Sequence, residues 1–281
     1  MGAPDMSAPV ASAVARAPAG SGLSWASLAS HRFARAAVGF MAVALFLIAW
    51  QIVGGNEIIR SDLISYPSEV VETLFQMSAS GELGSNLVVS LQEFIQGFLP
   101  AIATGIAAGT AFALSRRLHY LFEPLIVALN TSPIIAFVPI VVVWFGVGTQ
   151  SKAIMVFLAA VIPIVINTMT GITQVHESWI RACRAFGASK PQVILKAILP
   201  GALPSVMVGV RLAVGRAVVG LIAAEMYVSV RGIGRLIQVY STSERAAEIF
   251  VLVAVVASFG FLLVTLLRRI EGAIAPWSLE P

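Results

Sequence analysis

The chain has 281 residues, 58% of them apolar and 11% charged. A soluble domain carries charge on about a quarter of its residues, so this composition excludes a water-soluble fold and points to an integral membrane protein. The single cysteine, Cys183, rules out an intrachain disulfide, and the formal charge of +4 reads as membrane topology rather than as a nucleic-acid-binding surface.

Residues 1–35 are rich in Ala, Ser, Pro and Gly, with Arg16, Arg32 and Arg35 set against one acid, Asp5. They offer too little apolar surface to bury and are expected to form a disordered cytoplasmic tail. Residues 36–281 are expected to form one transmembrane domain. A helix needs about 20 largely apolar residues to cross a bilayer, and the charge-free run between Arg35 and Glu57 supplies the first span. In the outer loop that follows, Val70, Val71, Leu74 and Met77 recur at helical spacing and predict a short interfacial helix. Span two lies between Glu93 and Arg116, starting near Asn86, and holds Gly105 and Gly109 at the spacing that favours close helix contact. Span three lies between Glu123 and Lys152 and contains Pro133 and Pro139; span four lies between Lys152 and His176 and contains Pro163. Each proline removes a backbone hydrogen bond and kinks its helix. In lipid such a kink rests against other helices or a wet cavity. Span five runs from about Pro204 to Tyr227, and span six lies between Glu248 and Arg268. The predicted fold is therefore all-α with six transmembrane helices. Basic loop residues gather on one side, which by the positive-inside rule puts both termini and the loop at 176–200 in the cytoplasm.

That loop is the one structured basic segment. It carries Arg181, Arg184, Lys190 and Lys196 against Glu177. Trp179, Ala182, Cys183 and Phe186 form an apolar stripe at helical spacing, and Glu177 precedes Arg181 by one turn, a favourable pairing. Gly187 ends the helix, because glycine accepts the left-handed conformation. Ser189 and Gln192 then read as a capping box with Pro191 in the first turn of a second helix. Two short helices meeting at a glycine make a rigid knob for a soluble partner, or an amphipathic linker on the headgroups.

At these residues the chain resembles the inner-membrane permeases of ATP-binding-cassette importers. Their signature is Glu-Ala-Ala, three residues, Gly, nine residues, then Ile-x-Leu-Pro. Ala182, Gly187, Leu199 and Pro200 match it, while Arg181, Cys183 and Ala197 stand where that family has Glu, Ala and Ile. The flanks GASKPQVILKAILPGALPSVMVGVRLAVGRAVVGLIAAEM, SLQEFIQGF and IAFVPIVVVWFGVGTQSK resemble the nitrate, sulfonate and taurine branch, over roughly residues 60–272. The resemblance implies the type I ABC importer permease fold in a bacterial inner membrane. It implies a permease homodimer, two cytoplasmic ATPase subunits that hold ATP and Mg, and an external substrate-binding protein. This chain would then be no enzyme and hold no cofactor or metal. The family's ATPase-docking segment falls on Arg181, Ala182, Arg184, Phe186, Gly187, Ala188, Ser189, Gln192, Leu199 and Pro200. The cargo implied is a small anionic nutrient such as a sulfonate, nitrate or a taurine-like compound.

Charges within a membrane span are costly and mark functional candidates. Arg211 and Arg216 lie about 140° apart on a helix and share no face. Arg211, nearer the cytoplasmic end, is expected to snorkel to headgroups. Arg216, nearer mid-membrane, is expected to pair internally or meet an anionic substrate. Glu225 is expected to gate the cavity or to bridge to the partner subunit. Glu93 stands where the resembled permeases place arginine, with Gln96 beside it. It reads as an outer-surface residue, or else as a counter-ion to Arg216 or a sign of altered substrate preference. Asn130 and Pro133, in the proline-kinked span three, complete the pathway candidates. A secondary transporter of a small organic anion is the competing reading, since such proteins also build sites from broken helices. No Gly-x-x-x-x-Gly-Lys-Ser/Thr phosphate loop is present, and His31, His119 and His176 are scattered rather than set as metal ligands.

Overall fold

The computed structural model describes residues 32–55 and 64–275. The tail expected over residues 1–35 lies almost wholly outside the described residues. Described elements are helical throughout: α1 (Arg32–Gly55), α2 (Pro67–Ala79), α3 (Glu82–Leu114), α4 (Arg116–Thr131), a 3-10 turn (Ile134–Phe137), α5 (Val138–Phe145), α6 (Thr149–Thr173), α7 (Glu177–Ala185), α8 (Lys190–Val228), α9 (Ile233–Thr242) and α10 (Ala246–Ile274). The chain divides between Trp50 and Gln51 into two compact units. The first contains α1 up to Trp50, an apolar helix whose Phe46 and Trp50 rings lie 6.2 Å apart.

Among the described residues, α1, α3, α6, α8 and α10 are long and apolar enough to cross a membrane. A further candidate is the pair formed by α4 and the segment Ile134–Phe145, bent by 98°. The region expected as span three is thus two helices meeting at a sharp bend and not a single kinked helix. The cause is local. Ser132 precedes a proline, which disfavours the helical region, and it is extended at φ −72° and ψ 137°. Pro139 then falls in the first turn of α5, where a missing N–H costs nothing.

The second unit is built around α6. Phe94, Phe98 and Ala101 of α3, Val156, Ala160 and Ile164 of α6, and Val210, Ala213, Val214 and Ala217 of α8 form its main core. The predicted Gly105–Gly109 pair belongs to a longer row, Gly97, Ala101, Gly105 and Gly109, with one small residue on every turn. A Cβ on Gly97 would stand 2.7 Å from the Val156 Cβ, and one on Gly109 would stand 2.7 Å from the Thr168 Cβ. On the other side of α6, a Cβ on Gly209 of α8 would stand 2.6 Å from the Asn167 Cβ. Both neighbours therefore approach α6 nearly backbone to backbone. The helix expected in the outer loop is α2. Met77 is buried and Val70 packs beside it in a cluster with Leu83, Ile233 and Leu252, whereas Val71 faces away.

α8 is one helix of 39 residues. Its second turn, Ile194–Ile198, is a π segment in which the Leu199 N–H reaches back to the Ile194 carbonyl. Such turns hold one extra residue.

Gly105→Leu is expected to force α3 off α6 and lower stability by about 1–3 kcal/mol or more. Gly260→Leu, at a helical position with nothing within 4 Å, should leave stability unchanged or slightly raised. Thermal unfolding of the two variants in detergent, followed by size-exclusion chromatography, checks both.

Candidate functional site

The loop at 176–200 is fixed by two complementary helix ends. At the end of α7 the Gly187 N–H donates to the Arg184 carbonyl at 2.9 Å, and the Ala188 N–H donates to the Cys183 carbonyl at 3.1 Å. Gly187 takes φ +77°. This pair of bonds is the glycine-terminated closure that satisfies a helix's last carbonyls. Two residues after Gly187 the capping box begins: the Ser189 N–H donates to Gln192 Oε1 at 2.8 Å. The second helix is not short, because it runs on without a break as α8.

The root of the loop is a small core of Ile172, Val193, Ile198 and Ala202, with Ile180, Cys183 and Ala188 packed against it. Cys183 is therefore a packing residue. Only Cys183 of the predicted apolar stripe joins this core. Trp179 lies over Gly201, half exposed, and Phe186 stands 92% exposed at the tip. Around Phe186 the side chains of Arg181, Ala182 and Arg184 are exposed, as are Ser189 and Gln192, while Leu199 and Pro200 sit half-buried at the root. Arg181 pairs with Glu177 at 3.3 Å, a fully wetted bridge that contributes little to stability.

At the opposite end of α8 lies a buried polar cluster. Asn86, Ser90 and Glu93 share one face of α3. Ser90 Oγ donates to Glu225 Oε1 at 2.6 Å, and the Gly234 N–H donates to Glu225 Oε2 at 2.7 Å. The Ile233 N–H donates to Ser90 Oγ, and the Gly232 N–H to Asn86 Oδ1 at 2.7 Å. Gly232 is at φ +124°, and any side chain there would run into the Glu225 carboxylate. Lys152 of α6 is ion-paired with Glu93 and donates to Ser229 Oγ at 2.9 Å. Glu93, Lys152 and Glu225 are 1%, 4% and 0% exposed.

Three expectations are corrected here. Glu93 is neither an outer-surface residue nor a counter-ion to Arg216; its partner is Lys152, which the sequence reading treated as a loop residue bounding two spans. Glu225 is not free to gate a cavity, because both its oxygens are engaged with its own chain. Arg211 does not snorkel either. It is ion-paired with the buried Glu271 of α10.

Arg216 and Asn130 are brought together. Arg216 Nη1 donates to Asn130 Oδ1 at 2.7 Å, and among the described residues no carboxylate pairs with Arg216. Both line a cavity of ≈ 260 Å³, with Ser132 on one wall and Leu158, Ala159 and Ile162 of α6 on another. Pro133 sits between the lining residues Ser132 and Ile134 and holds the break open. Gln96 borders a separate cavity with Thr149 and Gln150. Sequence reasoning missed Lys152, Ser90, Asn86 and Glu271. Asn86 and Ser90 carried a legible signal, since with Glu93 they form a polar stripe at i, i+4 and i+7 at the head of an apolar helix.

The family described as the binding-protein-dependent transport system inner membrane component matches residues 101–278. The chain belongs to that family. It is 32% identical to the taurine transport system permease protein TauC of Escherichia coli (strain K12) over 242 residues, 84% of this chain and 87% of that protein. It is 33% identical to the nitrate import permease protein NrtB of Synechococcus elongatus over 203 residues, 69% of this chain and 72% of that protein. A chain of the inward-facing MetNI methionine ABC transporter shares the fold, with a TM-score of 0.62 at 18% identity, covering 70% of this chain and 98% of that one. The protein is thus a multi-pass inner-membrane permease subunit of an ATP-binding-cassette transport system.

In this permease the Glu93–Lys152 pair is buried, so removing one partner strands the other. Lys152→Met alone is expected to cost about 3–5 kcal/mol. Combining it with Glu93→Met should recover most of that loss, because a buried ion pair replaced by apolar residues of like volume is close to neutral. A double-mutant cycle on unfolding midpoints in detergent measures the coupling.

Proposed function

We propose that this permease works as a homodimeric type I importer, with six spans and both termini in the cytoplasm. The loop at 176–200 seats in a groove of a cytoplasmic ATPase subunit, which holds the ATP and Mg. An external substrate-binding protein delivers the cargo. The observation that carries this reading is the double closure of the loop, with Gly187 ending α7 and the Ser189–Gln192 box starting α8. The loop is thereby joined stiffly to a membrane-crossing helix. ATP binding draws the two ATPase subunits together, the loops follow, and α8 of each permease subunit moves with its loop. The cavity opens outward, receives cargo, and returns when ATP is hydrolysed. A ligand shifts such a two-state element only by its difference in affinity for the two states.

The cargo is a small anion. Relatives are named for taurine, aliphatic sulfonates and nitrate, and all of these present delocalised anionic oxygens. Arg216 supplies a cation on the cavity wall, held by an amide and therefore able to accept a charged ligand. A guanidinium suits such oxygens because it offers two parallel donors.

Purification from the native host followed by mass spectrometry tests the docking. The wild-type permease is expected to bring an ATPase with it. In Gly187→Val a β-branched residue must take a left-handed conformation that costs about 1–2 kcal/mol, so ATPase recovery should fall roughly tenfold while the permease stays monodisperse. Undiminished recovery would refute docking through this loop. A permease that purifies alone and transports in liposomes without ATP would be a secondary transporter.

A further inference from the structure

Asn130 lines two cavities. The second, of ≈ 360 Å³, is formed on α4 by His119, Glu123 and Asn130 and on α6 by Met169, Thr170 and Thr173. The two are stacked along α6, since the first uses residues 158–162 and the second residues 166–173. At 1.5 Å per residue their centres lie about 15 Å apart. The second opens toward the α7 end of the molecule. The Asn130 side chain stands at the boundary, and the 2.7 Å bond from Arg216 holds it there.

We propose that the Arg216–Asn130 hydrogen bond is an anion-operated latch between two compartments of the translocation path. The proposal rests on the reading of this cavity as part of that path. An amide oxygen is a neutral acceptor, and a sulfonate or nitrate oxygen is a charged one that binds guanidinium more strongly and can do so through two donors. An anion entering the first cavity takes Arg216 from Asn130. The freed amide swings away from the boundary, and the way to the second cavity opens. That second compartment suits release. The Thr173 hydroxyl already donates to the carbonyls of Met169 and Thr170 in its own helix, and Glu123, 3.5 Å from His119, places a carboxylate at the mouth. A neutral molecule of equal size leaves the latch shut, because it offers Arg216 nothing better than the amide it has. The latch thus selects for charge after the external binding protein has selected for shape.

The test uses the full-length permease with its ATPase in inside-out membrane vesicles, with Cys183→Ser and a reporter Ser132→Cys in the first cavity. A membrane-impermeant methanethiosulfonate bearing a sulfonate, added outside, must pass the second cavity to reach the reporter. Asn130→Ala is expected to speed labelling roughly tenfold or more, the value of a hydrogen bond to a charged group. Asn130→Asp, which replaces the amide with a countercharge, is expected to slow it. Arg216→Gln should abolish the preference for the sulfonate reagent over its quaternary-ammonium counterpart. Labelling rates unchanged by Asn130→Ala, in variants that remain monodisperse, overturn the latch. Recovery of the ATPase from the same vesicles separates the two claims. ATPase present with unchanged labelling defeats the latch alone, whereas ATPase absent with faster labelling in Asn130→Ala upholds the latch and defeats only the import reading.

Discussion

In a bilayer an apolar side chain gains nothing by leaving lipid for a neighbouring helix, so α3, α6 and α8 hold together only where their backbones come close enough for dense van der Waals contact. Gly97, Ala101, Gly105 and Gly109 on one side of α6 and Gly209 on the other provide that approach. The buried polar cluster around Glu93 and Glu225 depends on it. Lys152 reaches Glu93, and Ser90 reaches Glu225, because no side chain keeps the helices apart.

The charges inside the spans fall into two kinds, and their partners distinguish them. Arg211 with the buried Glu271, and Lys152 with Glu93, both buried, are matched by opposite charges. Glu225 is held by two donors of its own chain. Such groups are committed, since breaking any of these bonds strands a polar or charged group in a low dielectric. Arg216 is different. It faces a cavity and meets an amide, so exchanging that partner for an anion strands nothing. The cargo-binding role proposed for Arg216 fits this arrangement, since a transport site must release its cargo and a cation held by a neutral group meets that requirement where a full ion pair would not.

How far the sequence disclosed this follows from the range of each interaction. Span lengths are set by bilayer thickness, and every expected span finds a candidate helix or bent pair. The loop was legible because its determinants are neighbours: Gly187 ends one helix and Ser189 begins the next within three residues. Pro133 and Pro139 announced a kink, but not that the helix would stop at Ser132 and restart after a 98° bend. Ion-pair partners were not legible. Glu271 is 60 residues from Arg211, Asn130 is 86 from Arg216, and Ser90 is 135 from Glu225. No local pattern encodes such a pairing. Lys152 was misplaced because a lysine between two apolar runs normally marks a loop.

The π segment at Ile194–Ile198 sets the phase of the whole assembly. One surplus residue turns everything before it by about 100° relative to everything after it, so the direction in which Phe186 and its arginines point is offset from the face that α8 shows to the cavity. The helix works as a shaft some 58 Å long, keyed at one end by the polar cluster around Glu225 and at the other by the glycine closure. Because the surplus residue lies next to the loop, the orientation of the tip can be reset there without disturbing a single contact around Arg216. The docking and cargo-binding roles proposed for the two ends would therefore be separately adjustable along one continuous helix.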